Sequence, residues 1–598
     1  MSLAAPGPGP DAVLSPSSPA DPATGAPARR DAATPGGPSR AVNPFALCLL
    51  VVAVLALAYG LVLRGWLLVQ VPLWGDEAIV GIMARAIDGG HFSAFIWGQH
   101  YGGLESYVTA LVLKAGGGGE RALNATPALL CAVAAVLMGG LVYAAGRNRP
   151  VALAAAGAVW VWPYVVIWQS VREQGFREAT LCCGLTALLC CVRVARRRAG
   201  PGTFLVLGLA LGLGWWASPE IVYFAVPSAV LLAIWWWGTR RRSPEPSSAA
   251  PNEPTRWVAL ALVAVGGLVG SIPWWYANAH TSFASIRSSS FPANAGATYG
   301  GRLSVFFHYM LPMQLGVRTV LTGTWVGGPA VGKLLYAVVL VLIAAAATRA
   351  VWVAVGRRTE FVPAALALAV VVYPFLYAAA PGTAYWNDGR YGIYLPTFVV
   401  LLFATALLTL RVETPQADAD VDVDADVAKR EAPVRQGALV VGAVGVLGAV
   451  CLTVAGARTA GVPAGFFTSW PDGDAPMHHV LSEMQAHRIA AAYGDYWTAY
   501  DLDFLSGGSP TVSPSPLDVN RSTAISSEVA ATTNPAWLFF APNQTAEAST
   551  VFGNPQPGPG PYTEKTFEAY LTKLGIPYKV VRLGVLDAVI PQRPLPPL

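Results

Sequence analysis

Trp74-Gly75-Asp76-Glu77-Ala78 decides the fold, because it sets two adjacent carboxylates directly after a long apolar run. That run begins near Pro44 and is long enough to cross a hydrocarbon core as a helix rising about 1.5 Å per residue. The five residues then open an apparent helix that reaches Ile87. Two readings compete. Asp and Glu in a first turn favour the helix dipole and cap its free N–H groups. Alternatively, one carboxylate is a general base that deprotonates a hydroxyl acceptor, while its neighbour orients substrate or tunes the base.

Working outward, further apolar runs near 20 residues begin near Ala122, Val151, Phe176, Gly202, Ile221, Trp257, Val331, Phe361, Gly392 and Gly437. They predict about eleven transmembrane helices. Composition agrees: of 598 residues 54% are hydrophobic and 12% charged, against a charged share of roughly a quarter in soluble proteins. The net charge of +5 is small and dispersed, which excludes a nucleic-acid partner, since that needs basic residues gathered on one face. The seven cysteines fall in apolar stretches, none beyond Cys451, so neither a disulfide framework nor a thiolate metal site is implied. Residues 1–43 are rich in Pro, Ala, Gly and Ser and lack an apolar core. They read as a disordered cytoplasmic tail and not as a signal peptide.

Basic clusters at Arg147 and Arg149, 193–198, 240–242, 357–358 and 429–435 occupy alternate loops, which the positive-inside rule places in the cytoplasm. The segment 101–116 must then not cross. Leu104, Tyr107, Val108 and Leu111 have helical spacing, with Glu105, Ser106 and Thr109 between them, and predict an amphipathic helix at the outer interface. The stretch 306–321, interrupted by Pro312, reads similarly. The transmembrane region covers 44–458 with an external loop over 64–121, and a second long external loop spans about 276–330. From 459 to 598 the pattern changes to an extracytoplasmic α/β domain. A helix is predicted near 477–487, a strand over 488–493, a helix after Asp495, buried strands at 537–541 and 578–583, and a helix over 564–574. All seven histidines fall on the outer side. Cytoplasmic loops look inert: 243–255 is a Pro/Ser linker. The stretch 418–426 alternates acidic and apolar residues but has Val423 where a calcium loop needs Gly, and reads as a solvated acidic loop.

Two more external features carry candidate chemistry. Arg172-Glu173-Gln174-Gly175-Phe176-Arg177-Glu178 opens a span, either as a salt-bridged interfacial turn or as a ligand site. Tyr385-Trp386-Asn387-Asp388-Gly389-Arg390-Tyr391 opens a late span. An arginine there can merely snorkel, or its planar fork can hold a phosphate.

Asp76-Glu77 after the first helix, an interfacial helix, Glu120-Arg121-Ala122-Leu123 opening the second span and Gly389-Arg390-Tyr391 opening a late one together resemble the GT-C glycosyltransferases. The nearest pattern is the protein O-mannosyltransferase and aminoarabinose transferase superfamily, matched over roughly 44–410. The resemblance implies a plasma-membrane, multi-pass, polyprenyl-phosphate-sugar-dependent hexosyl- or pentosyltransferase of the cell envelope. It implies Asp76 as base with Glu77 assisting, and Arg390 as a donor-phosphate contact, with Arg172 and Arg177 as further candidates. Substrate-binding candidates are His100, Tyr101, Glu105, Glu173, Asn387, Asp388 and Tyr391. One departure stands out: where relatives carry Pro-Pro-Leu-Tyr-Tyr, this chain has His100-Tyr101-Gly102-Gly103-Leu104-Glu105-Ser106-Tyr107, so the acceptor side differs. The segment around Gly494-Asp495-Tyr496-Trp497 resembles tails of bacterial members.

The implied partners are a polyprenyl-phosphate sugar, a hydroxyl acceptor on protein, lipid or polysaccharide, and the membrane. No cofactor is firmly implied; a divalent metal bridging Asp76 or Glu77 is compatible with the sequence, although no His/Asp spacing demands it. A glycolipid transporter or flippase would show internal repeats and broken polar helices at the midplane, and the sequence has neither. A non-catalytic membrane protein with an external binding domain would leave the carboxylate pair and the arginines without a joint purpose.

Overall fold

The computed structural model describes residues 44–240, 254–287, 298–356, 361–408, 423–460, 473–542, 544 and 562–596. The predicted tail 1–43, most of the linker 243–255 and the first half of the acidic stretch 418–426 lie outside these. The chain divides into two units, Met1–Asn43 and Pro44–Leu598. The second is described below.

It is a multi-pass helical membrane protein with a small sheet near its C-terminus. Among the described residues eight helices are long and apolar enough to cross a membrane, nine if the bent pair Arg256–Gly270 and Ile272–His280 is one span. Two shorter apolar helices, Arg149–Val161 and Pro201–Ala217, account for the remaining predicted runs. The bent pair turns by 54°; Pro273 follows the break and cannot donate to the carbonyl one turn back. Helix Val423–Ala460 begins inside the acidic stretch, so residues 423–426 are helical where a loop was expected.

The segment predicted to lie at the interface is helix Leu104–Gly116, 13 residues long and too short to span. Its polar side, expected to face water, is instead buried: Glu105, Ser106 and Thr109 point into protein, while Leu111 is exposed. The stretch after Thr298 is helical as well, with a π turn at Phe306–Met310 ahead of Pro312. Such a turn is a common accommodation in a distorted helix.

The C-terminal sheet has strands β1 (Ala491–Gly494), β2 (Thr511–Pro514), β3 (Ala536–Phe540), β4 (Tyr578–Arg582) and β5 (Leu586–Pro591) in the order β2-β1-β3-β5-β4. β1 runs parallel to β2 and β3, whereas β5 is antiparallel to both β3 and β4. The strand expected over 488–493 is shorter than predicted, and β4, expected to be buried, is an edge strand with alternating exposure. β1 ends at Gly494, and Asp495 then caps helix Tyr496–Ser506 by accepting from the Trp497 N–H at 2.9 Å. That cap fixes where Tyr496 leaves the sheet.

Helix Tyr496–Ser506 packs directly on helix Gly75–Asp88. At Gly75 a Cβ would stand 3.0 Å from the Tyr496 carbonyl oxygen, and at Gly81 it would stand 2.4 Å from the Phe504 ring. Only glycine allows so close an approach. Polar contacts pin the same junction: the Leu73 N–H donates to Asp474 Oδ1 at 2.7 Å. Arg85 donates to the Phe504 carbonyl at 2.7 Å with its guanidinium 4.0 Å above that ring.

Candidate active site

A cavity of about 630 Å³ opens where helix Gly75–Asp88, the turn before the span Arg177–Ala195, the loop before Arg390–Leu408 and the C-terminal domain meet. Of the residues singled out in the sequence, Asp76, Glu77, Tyr101, Arg172, Arg177, Asn387, Asp388, Arg390 and Tyr391 line it. Three elements far apart in the sequence thus meet at one cavity.

The two carboxylates have different surroundings. Glu77 is fully buried. Its Oε1 accepts from Arg172 Nε at 2.5 Å, and its Oε2 reaches back to the Trp74 N–H at 3.4 Å. The capping role therefore falls to Glu77. Burial pushes its carboxyl up to about 7, although the Arg172 guanidinium holds it down. Asp76, a quarter exposed, faces the cavity. Tyr496 Oη donates to its Oδ1 at 2.6 Å, and Arg390 Nη1 lies 3.6 Å from its Oδ2.

The three arginines differ in availability. Arg172 is only 2% exposed, paired with Glu77, and its guanidinium lies 3.4 Å over the Trp74 ring and 4.6 Å from Trp168. Its guanidinium is thus engaged by Glu77 and the two indole rings, although the residue lines the cavity. Arg177 donates to Gln174 and stands 3.9 Å from the Glu220 carboxylate. Arg390 is the most open at 26% exposure. Its Nε lies 3.0 Å from Asp388 Oδ2, and its backbone N–H donates to Asp388 Oδ1 at 3.1 Å. Gly389 makes this turn possible, with φ +74° in the left-handed region and Val165 so near that a Cβ would stand 2.4 Å from it. Gln314 then holds the Gly389 carbonyl at 2.7 Å.

Three predicted substrate residues do not line the cavity. Glu105 and Glu173 instead join Glu178 in a buried carboxyl cluster. There Glu105 accepts from the Ala179 N–H at 2.8 Å, and Glu173 accepts from the Gly175 N–H at 2.8 Å and from Thr109 at 3.2 Å. Burial, together with the Glu105 and Glu178 carboxyls nearby, pushes Glu173 well above the usual carboxylate range. These groups brace the loop against helix Leu104–Gly116. His100 turns its ring edge-on to Phe95, 6.4 Å away, whereas its neighbour Tyr101 stacks on Phe176 at 4.1 Å and walls the cavity.

Sequence reasoning missed the wall contributed by the C-terminal domain: Tyr496, Trp497, Asp518, Val519 and Arg521. A signal existed. Tyr496 and Asp518 follow the C-terminal ends of the parallel strands β1 and β2, where open α/β sheets place their ligands. Formally the lining is balanced, with Arg172, Arg177, Arg390 and Arg521 against Asp76, Glu77, Asp388 and Asp518.

The oxygens of the acidic pair have protein partners in this structure. The Glu77 oxygens are taken by Arg172 and Trp74, and the Asp76 oxygens face a hydroxyl donor and a guanidinium. Among the described residues no three His, Cys, Asp or Glu side chains are grouped to hold an ion.

No protein-family model matches the chain, and no curated protein matches it by sequence. Solved structures do. The apo structure of ArnT from Cupriavidus metallidurans is 14% identical, with 90% of this chain and 97% of that one covered, at TM-score 0.50. ArnT from the same organism bound to undecaprenyl phosphate is also 14% identical over the same shares, at TM-score 0.49. The archaeal oligosaccharyltransferase AglB from Archaeoglobus fulgidus, in complex with an inhibitory peptide and a dolichol-phosphate, is 11% identical. It covers 83% of this chain and 73% of its own, at TM-score 0.40. The likeness to apo ArnT shows the fold, that of the GT-C membrane proteins.

Proposed function

We propose that the chain is a membrane glycosyltransferase that moves a sugar from a polyprenyl-phosphate donor to a hydroxyl acceptor outside the membrane. The observation that carries this reading is the meeting of Asp76 and Arg390 in one cavity, 3.6 Å apart. A prenyl phosphate is a good leaving group that needs its charge neutralised more than it needs a proton. One carboxylate base and one guanidinium fork supply what that chemistry lacks.

In the proposed reaction the donor phosphate docks on Arg390. Its arrival displaces the looser of the two carboxylates, Asp76, because Asp388 stands closer at 3.0 Å. Asp76 Oδ2 then accepts the proton of the acceptor hydroxyl as that oxygen bonds to the anomeric carbon. The bond from that carbon to the phosphate oxygen breaks, and polyprenyl phosphate leaves on Arg390. Glu77 acts through Arg172 to hold helix Gly75–Asp88 at the correct height.

Orientation follows from charge. The span Arg177–Ala195 opens at the cavity and has 19 residues, so it carries the chain about 28 Å away to the basic residues 193–198. With those in the cytoplasm, the cavity and the C-terminal domain face outward in the plasma membrane.

Purified protein incubated with a panel of polyprenyl-phosphate sugars and soluble or lipid glycan acceptors tests the reading. Release of polyprenyl phosphate that depends on acceptor and on Asp76 is expected. Transport of the intact lipid-linked sugar across vesicles, with no bond broken, would overturn it.

A further inference from the structure

The C-terminal domain does more than cover the cavity. Among the described residues its Tyr496 hydroxyl donates to the Asp76 carboxylate at 2.6 Å from 420 positions away. The ring behind that hydroxyl cannot swing: it stands edge-on to Trp497 at 4.9 Å and to Tyr500 at 5.5 Å, with the Arg521 guanidinium 5.7 Å away. The backbone is fixed as well, because the Tyr496 N–H donates to Asp518 Oδ2 at 2.9 Å and Asp495 caps the helix one residue earlier.

An aspartate carboxylate turns freely about its last bond unless something holds it. In this site Arg390 approaches Oδ2 only at 3.6 Å, too far for a hydrogen bond. Oδ1 therefore has the one short, charge-assisted bond, and that bond presents Oδ2 to the cavity.

We propose that Tyr496 is a positioning residue for Asp76, so that the C-terminal domain completes the catalytic centre of the membrane region. The proposal rests on the reading of Asp76 as the base. Misplacing a reacting group by an ångström can cost about a hundredfold. When phosphate draws Arg390 away, Tyr496 is the contact that keeps Asp76 aligned.

Tyr496→Phe removes one oxygen and keeps the ring packing. We expect kcat lower by about ten- to a hundredfold, with the donor KM and the melting temperature of the wild type. Ortho-fluorotyrosine introduced at position 496 keeps the donor and should retain most of the activity. Wild-type kcat in Tyr496→Phe, alongside an inactive Asp76→Asn, overturns the positioning role and leaves the glycosyltransferase reading standing. Active Asp76→Asn protein overturns Asp76 as the base, and with it the positioning role of Tyr496. A Tyr496→Phe variant with a lowered melting temperature and a raised KM would reduce Tyr496 to a docking contact, which also overturns the proposal.

Discussion

Glu77 and Arg172 form a buried ion pair, Oε1 to Nε 2.5 Å, with the guanidinium lying 3.4 Å over the Trp74 ring. Removing one member leaves the other charge without compensation in a site that excludes water. Glu77→Gln should therefore destabilise the protein by about 3 to 5 kcal/mol. Replacing both members, Glu77→Gln with Arg172→Met, should cost less than the two single changes together. Thermal unfolding in detergent checks this; equal melting of wild type and Glu77→Gln would reject the pair as a structural element.

Asp76→Asn should behave differently. Asn caps a helix as well as Asp, and the Tyr496 hydroxyl can still donate to the amide oxygen. Folding and donor binding should stay near wild type, while turnover falls roughly a hundredfold or more, the size of a general-base contribution. Transfer at the wild-type rate by folded protein would sink the assignment.

Arg390→Ala should weaken donor use by about 1.5 to 3 kcal/mol, the worth of a charge-assisted contact. Lysine should rescue only in part, having the charge without the fork. Donor titration read by product release distinguishes this from snorkelling, which predicts unchanged affinity in both variants.

The C-terminal domain should lose stability as pH rises. Burial pushes Asp474 up to about 7, and Asp495 and Asp503 each up to about 6. Between the ordinary carboxylate value near 4 and these values the folded state holds protons that the unfolded state has released, so stability falls with rising pH. His478, raised by its contact with Glu120, gives the same sign, because its charged form is favoured only when folded. Glu120 is lowered by the same contact and opposes the trend, but only below the ordinary carboxylate value near 4.5. Melting at pH 5 should exceed that at pH 8, and a curve rising over that range would contradict these environments.

Reporter fusions should place Arg198 in the cytoplasm, with Ala330 and Leu598 outside. A cytoplasmic signal at Leu598 would mean that one more segment crosses, and the orientation of the cavity would fail with it.

The positions of the apolar helices were legible because a span must be apolar over its whole length, a signal that each segment carries alone, although among the described residues only eight of them, nine with the bent pair, are long enough to cross. The motif around Asp388 and Arg390 was legible for a similar reason, since charged residues at a span's mouth stand out against their neighbours. Which of two adjacent carboxylates meets the cavity was not legible. Asp76 and Glu77 differ by about 100° around their helix, and only the place of Arg172 decides between them. Glu105 and Glu173 misled because local pattern cannot tell a polar side facing a cavity from one sealed against other carboxyls. The segment holding Tyr496 was legible as a helix following the end of a strand, but its contact with Asp76 was not, because that partner lies 420 positions earlier.

That separation has a consequence in time. A ribosome adds about 5–20 residues per second, so the 420 residues between Asp76 and Tyr496 take roughly 20 to 80 s to make. Throughout that interval the emerging chain holds its Asp76 carboxylate at the membrane exit without the hydroxyl that anchors it. On the proposed role of Tyr496, no truncated or half-made copy can turn over donor efficiently.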